Sequence, residues 1–467
     1  MRLKFGAGRS LAASMFAMVV ALSPAALSAE SLGDALASAY KNSGLLEQNR
    51  ANLRATDEGV AAAVSAMRPT LGYTASAGYD AVGGGAGAWA KSLEFSASMT
   101  LFTFGKNKLS VDAAKETVLA TRASLVAIEQ DVLGAAISAY MDVRYYEAQA
   151  NVRANSVRLN QQNLRAAQDR FEVGEITRTE VSQVEAQLAS ARSLNAAAQG
   201  QVLSAREAYK VAVGNYPSNL STPPSVKVPA STVDEAVRLA VQSHPAIKAL
   251  QHRISALDLA VQIAERGLLP TVSASASRTY GSDWNDNALT VENSRDSFGI
   301  VARGNIYAGG NGASAIRKAQ ANLDAARAEL HTSARQVEQN VRTAWSMLSV
   351  TAASSKATAA SVQAQRVAYQ GVKEEADLGA STTLDVLEAE QDLLDAQVLA
   401  IQARINSESA VFSLLSAMGL LTVSHLNLDV PVYDPAAYYN AVKTAPTSNI
   451  SAQGEKLDRV LQSLGRN

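Results

Sequence analysis

The sequence predicts a mainly α protein with a transmembrane β-barrel, in which long coiled-coil helices build an α-barrel and each chain gives four strands to the membrane sheet. Three observations predict it. The chain repeats itself: Ala35 and Pro69 recur as Ala236 and Pro270, and farther on Tyr140, Gly174, Val181 and Gly214 face Trp345, Gly379, Val386 and Gly419 at a spacing four residues longer. Each repeat carries a seven-residue apolar pattern that no proline interrupts, and each carries a pair of alternating segments. A constant spacing over the second part of each repeat means that nothing was inserted there. Packed long helices demand this, because one extra residue turns every later side chain by about 100°. The four-residue difference falls between Thr70 and Leu101, where a surface loop is expected.

The first element is a processing segment, residues 1–29. Arg2, Lys4 and Arg9 form a basic start, Leu11 to Leu22 an apolar run, and Ser23 to Ala29 a small-residue cleavage region with the cut next to Ala29. That run is shorter than the ~20 residues that span a bilayer as a helix. The chain is therefore expected to be exported. Lys and Arg number 42 against 43 Asp and Glu, and the leader removes three of the bases, so nothing suggests nucleic acid. No cysteine occurs, which excludes a disulfide scaffold and a thiolate metal site. No second apolar run is long enough for a spanning helix. Aromatic residues are only 5% of the chain, as suits thin helices with narrow seams.

Two structural repeats follow, residues 30–213 and 232–419, joined by a Pro-rich linker at 214–231 and followed by a tail at 420–467. Each repeat reads as a short helix, a strand pair, a very long helix, a sharp turn and a second long helix. In the strands, Leu71, Tyr73, Ala75, Ala77 and Tyr79 alternate with Gly72, Thr74, Ser76 and Gly78, and Leu93, Phe95, Ala97, Met99 and Leu101 alternate with polar residues. Val272 to Tyr280 and Phe298 to Ile306 repeat this more weakly. Alternating segments of ~10 residues are the signature of outer-membrane strands, and four cannot close a barrel whose smallest members have ~8. Exposed edges are not tolerated in lipid, so several copies must share one barrel.

The long helices begin after Gly105 and its counterpart. Val111, Val118, Leu125, Val132 and Ala139 recur every seven residues, as do Ile316, Leu323, Leu330, Val337 and Ala344. From Gly105 to Phe171 the first would be roughly 100 Å long at 1.5 Å per residue. It should stop at Val173-Gly174, since glycine accepts the left-handed C′ conformation. Thr177 with Glu180, and Thr382 with Asp385, then offer capping boxes for the returning helices. Their seams are Val181, Val184, Leu188, Ala191 and Val386, Ala389, Leu393, Ala396. The tail shows no periodicity beyond a short amphipathic stretch near Leu457 to Leu464, and parts of it are expected to be disordered.

The tips, Phe171-Glu-Val-Gly-Glu-Ile-Thr-Arg-Thr-Glu180 and Ala376-Asp-Leu-Gly-Ala-Ser-Thr-Thr-Leu-Asp385-Val-Leu-Glu388-Ala, resemble those of the TolC-type outer-membrane efflux and type I secretion channels. The strand-to-helix junctions Leu101-Phe-Thr-Phe-Gly105 and Asn305-Ile-Tyr-Ala-Gly-Gly310 match as well, and the resemblance covers about Ser31 to Gly419. It implies a homotrimer whose three sets of four strands close a 12-stranded barrel in outer-membrane lipid. It also implies a periplasmic helical tube that meets an inner-membrane pump or ABC transporter through a periplasmic adaptor protein.

In the family, acidic residues at the positions of Asp385 and Glu388 line the pore entrance. Three copies would set six carboxylates in a ring that favours cations, against the plainer reading of a solvated helix face. Thr179, Glu180 and Arg178 are candidate gate residues, although capping and helix-dipole compensation account equally well for Glu180. Val173, Gly174, Thr179 and Gly379 match places where adaptors touch the family's tips, or serve turn geometry alone. The chain departs from the family's best-studied members where an Arg and a Tyr latch the entrance: Ser381 and Ala376 stand there. The closed-state latch must therefore differ, with Arg178 as one candidate, or be weaker.

Other signals are weak. His244, His252, His331 and His425 lack metal-ligand spacing, Gly309-Gly310-Asn311-Gly312 lacks the Lys of a phosphate loop, and no nucleophile motif occurs. No active site, cofactor or metal is expected. The rival readings are a periplasmic coiled-coil structural or adaptor protein without a pore, and a stand-alone porin. Neither explains two helical hairpins together with four alternating strands.

Overall fold

The computed structural model describes residues 29–80, 88–224, 226–283 and 294–447. The expected leader lies outside them, as do the Leu457 to Leu464 stretch and the connections 81–87 and 284–293, where the four-residue difference between the repeats was placed.

Each repeat opens with two helices where the sequence suggested one: α1 Leu32–Asn42 and α2 Gly44–Ser65, then α5 Val233–Ser243 and α6 Pro245–Arg266. The break has a local cause. Ser43 leaves the helical conformation and its hydroxyl caps α2 at Leu46 N, while His244 caps α6 through Nδ1 to Ala246 N ahead of Pro245. Proline at the first helical position forfeits only an amide that had no partner.

The strands follow directly after Pro69 and Pro270: β1 Thr70–Asp80 and β2 Ala88–Phe102, then β3 Thr271–Asp283 and β4 Ser294–Arg303. They form a single antiparallel sheet in the order β1-β2-β3-β4. The fourth strand starts and ends earlier than its alternation suggested, and Asn305 to Gly310 form the turn into the next helix. Register sorts the side chains by face. Leu71 lies opposite Ala97, Tyr73 opposite Phe95, Ala276 opposite Phe298 and Ala274 opposite Ile300, so one face is predominantly apolar. Leu71, Tyr73, Phe298 and Ile300 are more than two-thirds exposed on it. A charged pair, Arg278 and Asp296 at 3.6 Å, interrupts this face toward the outer end of the strands. The opposite face is polar, with hydroxyl pairs Thr70–Ser98 at 2.8 Å, Ser76–Ser92 at 2.7 Å and Ser277–Ser297 at 2.8 Å. No described helix is long and apolar enough to cross a membrane.

At the sheet's inner end the chain turns sharply into α3 Lys106–Glu172, and in the second repeat into α7 Asn311–Asp377. Gly105 and Gly310 take positive φ at equivalent positions, and Phe104 adopts the left-handed conformation that Gly309 adopts in the second repeat. Both long helices have 67 residues, or roughly 100 Å each. The heptad residues Val111, Val118, Val132, Ala139, Leu323 and Val337 are buried. The returning helices are α4 Arg178–Val213 and α8 Thr383–Ala417.

Packing follows the repeat. Toward the membrane the helices lie side by side as α2, α3, α6 and α7, and toward the tips as α4, α3, α8 and α7, so α3 and α7 run through both levels. Where the two levels meet sits the main core, with Leu36, Tyr40, Leu133, Tyr140, Tyr209, Phe412 and Leu415. A second core of Ala236, Ala240, Ile247, Val337, Val341 and Met418 repeats it. The linker is tied to the start of the first repeat through Glu30 N to Asn219 O at 2.8 Å and Ser221 N to Glu30 O at 3.0 Å.

The described part of the tail is ordered. It crosses the main core with Leu421 and Val423 and ends in α9 Pro435–Val442 against α2. Arg50 lies between the rings of Tyr40 and Tyr433, 5.0 and 5.1 Å away, and Arg68 donates to the carbonyls of Thr444 and Ala445. Aromatic faces and free carbonyls hold this segment instead of an apolar stripe, so it left no periodicity in the sequence.

Candidate functional site: the paired hairpin tips

The two hairpins end in the same local structure. At the first tip, Glu175 N donates to Arg170 O at 2.9 Å and Gly174 N to Phe171 O at 3.0 Å; at the second, Ala380 N donates to Glu375 O at 2.8 Å and Gly379 N to Ala376 O at 3.1 Å. This is the Schellman pattern, which satisfies the last carbonyls of a helix and requires a left-handed C′ residue. Gly174 at φ 81° and Gly379 at φ 76° supply it.

The chain then re-enters a helix through reciprocal caps. Thr177 N donates to Glu180 Oε1 at 3.2 Å while Glu180 N donates to Thr177 Oγ1 at 3.3 Å. Thr382 N donates to Asp385 Oδ2 at 2.8 Å while Asp385 N donates to Thr382 Oγ1 at 3.2 Å. The backbone and hydroxyl bonds from Thr382 hold the Asp385 carboxyl below the usual carboxylate range. Asp385 stays ionised, on the exposed side of α8, and Glu388 is exposed one turn on. Arg178 and Thr179 are exposed in the first turn of α4. Val173 is 71% exposed and its counterpart Leu378 is 86% exposed, so each tip presents one apolar side chain at its extremity. Leu378, expected only as the last residue before the turn glycine, is the more exposed of the two.

Between the hairpins lie contacts that no motif announces. Arg170 Nη2 of α3 meets Asp377 Oδ1 of α7 at 3.0 Å. Ser381 donates to Glu375 Oε2 at 2.9 Å within its own hairpin. Deeper, Ala167, Val184 and Leu387 form a small apolar cluster that joins α3, α4 and α8. Above it, Asn160 Nδ2 donates to Glu390 Oε1 at 2.7 Å and Asn163 Nδ2 to Glu390 Oε2 at 3.0 Å. Arg153 with Asp395 at 3.7 Å and Arg144 with Glu408 extend this α3–α8 ladder toward the core.

Near the tip the buried seam of α8 runs through Leu387, Glu390 and Leu394, one position on from the expected Val386, Ala389 and Leu393, which are half-buried, whereas the expected Ala396 is buried. The reason is that α8 packs on α3 as well as on α7. A Glu at a seam position between two Leu was the signal available in the sequence. A heptad seam reports one neighbour only, so it does not single out a residue that packs on two.

Comparison with known proteins follows the same division of the chain. The family model described as outer membrane efflux protein matches twice, at residues 35–215 and 236–420, which is the internal repeat. The chain is 34% identical over 445 residues to the outer membrane efflux protein BepC of Brucella suis, covering 92% of this chain and 94% of that protein. It is 26% identical over 329 residues to the outer membrane protein TolC of Vibrio cholerae, covering 67% and 73%. The crystal structure of the Campylobacter jejuni CmeC outer membrane channel superposes with a TM-score of 0.75 at 17% identity, over 90% of each chain.

Proposed function

The chain belongs to the outer membrane efflux protein family, and from that premise we propose that three copies assemble into a continuous duct, each giving four strands to a 12-stranded barrel and four long helices to a tube beneath it. It is an outer-membrane efflux duct, and the family is one of transport channels. The observation that carries the assembly is the open sheet. β1 and β4 have no partner on their outer edges among the described residues, yet the sheet has an apolar face. Lipid does not tolerate such edges, and pairing β4 of one copy with β1 of the next removes them.

On this reading the hairpin tips form the periplasmic entrance. Asp385 and Glu388, one helical turn apart on the exposed side of α8, line it as an acidic ring, with Thr179, Glu180 and Arg178 beside them on the first hairpin. The protruding Val173 and Leu378, with the turns at Gly174 and Gly379, face a periplasmic adaptor protein, and an inner-membrane pump or ABC transporter supplies both the work and the choice of cargo. Opening is an iris-like movement in which α7 and α8 swing away from α3 and α4.

Single-channel conductance of the purified protein in a planar bilayer tests this. Small cation-selective steps are expected, and Asp385→Ala/Glu388→Ala should reduce the selectivity. Absence of any conductance after the tips have been loosened by mutation would refute the duct. Unchanged selectivity in the double variant would remove the acidic ring alone.

A further inference from the structure

Glu390 is a buried acid at the contact between the two hairpins. Its side chain is 2% exposed, between Leu387 and Leu394 on α8, and its two oxygens accept from Asn160 and Asn163 of the other hairpin. Asn160 is itself fully buried, and its Oδ1 has no hydrogen-bond donor. A seam that served only to hold α8 on α3 would do so better with an apolar side chain, because removing a carboxylate from water costs more than two amide bonds return. Among the described residues no cation pairs with it: Arg153 is taken by Asp395 and Arg170 by Asp377.

We propose that Glu390 is a proton-operated latch between the two hairpins. Protonated, it seals α8 on α3; ionised, it drives the second hairpin off the first and lets the entrance widen. The proposal rests on the reading of the tips as the entrance, and it deepens that reading by naming what sets the closed state where the family's usual latching side chains are absent.

The surroundings fit an acid that is neutral when the hairpins are closed. Burial pushes the Glu390 carboxyl up to about 7, and the bonds from Asn163 and Asn160 only partly oppose it. From α3 it faces the two amides. From α7 it faces the phenol of Tyr369, which burial, more than any charge on Glu390, pushes above its ordinary range. α4 contributes Val184 to the adjoining apolar cluster. Swinging α8 away would return the carboxyl to water and to its ordinary value of 4.5. A closed-state value above the open-state value means that the closed form holds the extra proton. Its stabilisation is complete below the ordinary value and is lost as pH rises through about 7.

The test is single-channel recording of the purified full-length protein between about pH 5 and about pH 8, where each such carboxyl can change the open-to-closed ratio by up to about tenfold per pH unit. The open fraction of the wild type should rise as pH passes through neutrality. Glu390→Gln, equal in shape and permanently neutral, should stay at the low-pH level throughout. A Glu390→Gln channel that titrates like the wild type overturns the proposal, as does a conducting wild type with no pH response.

If Glu390→Gln does not assemble, spin labels at Val173 and Leu378 with Glu390 intact give a second reading. Their separation should widen as pH rises, and a constant separation overturns the proposal. A protein that conducts at no pH, even as Arg170→Ala/Asp377→Ala, would fail as a duct and take the latch with it. That outcome is distinct from a duct that ignores pH.

Discussion

Arg170 and Asp377 join the two hairpins of one chain across their last helical turns, at 3.0 Å, with both side chains about half exposed. An ion pair this wet contributes little: exposed pairs are worth about 0–1 kcal/mol and are screened by salt. Arg170→Ala is therefore expected to raise the frequency of openings by a few-fold at low ionic strength and to have almost no effect in high salt. Conductance recorded at two salt concentrations checks this. A large, salt-independent effect would mean that the arginine does something other than bridge to Asp377.

The tip glycines and the glycine at the end of α4 separate two costs. Gly174 and Gly379 have positive φ and nothing within 4 Å of an added Cβ. Gly174→Ala or Gly379→Ala should cost only the left-handed conformation, about 1–2 kcal/mol. Gly214 has φ 99° and would set its Cβ 2.6 Å from Asn42 Nδ2 and 2.8 Å from Asn42 Cβ. Gly214→Ala should cost the same strain plus displacement of Asn42, which donates to Ser38 and to the carbonyl of Val213. Denaturant unfolding should rank Gly214→Ala as the most destabilising of the three. Hydrogen exchange should place the loss from the tip variants at the tips alone.

Sheet register makes Phe298 and Ser297 a pair of opposites. Phe298 is 84% exposed on the apolar face, whereas the Ser297 hydroxyl bonds Ser277 on the polar face. Phe298→Arg should impair membrane assembly, since a lipid-facing arginine at mid-bilayer costs about 2–4 kcal/mol per strand. Ser297→Arg should assemble normally and lower cation conductance by placing positive charge in the lumen. The reverse pattern would invert the barrel.

Thr382 and Asp385 link helix capping to charge at the entrance. Because bonds from Thr382 lower the Asp385 carboxyl below its ordinary value, the folded tip favours the ionised form. That stabilisation is present above the ordinary value of 3.8 and is lost as pH falls through the depressed one. Cation selectivity should therefore persist well into the acid range. Thr382→Ala should move its loss to higher pH and fray the start of α8, as reversal-potential titrations of the two proteins would reveal.

The fold was legible where one neighbour or one backbone rule decides a residue's place. Heptad residues Val111 and Val118 report a seam against α2, and the helix ends at Val173-Gly174 and Leu378-Gly379 report a left-handed backbone that glycine accepts. The fourth strand was less legible. Arg295 and Asp296 set charge near its start, opposite Thr279 and Arg278 of β3. Ile306 and Tyr307 continue an apparent alternation into a turn where both are almost wholly exposed. The split at Ser43 and His244 needed cap geometry, and the tail needed Arg50 and Arg68, which lie hundreds of residues earlier. At the candidate site, the caps and tips could be read locally. The Glu390 clamp could not, because burial of that acid is set by two amides on another helix.

The equal length of α3 and α7 makes reach a property the two halves of the gene must hold in common. A residue added to one stave alone would leave its tip standing proud of the other and rotate its seam out of register. Descendants of this chain could thus span a wider gap between their membranes only in matched increments, whole heptads inserted into both halves together. The duct's length is inherited in quanta, and a library of such paired insertions would show which envelope spacings it can serve.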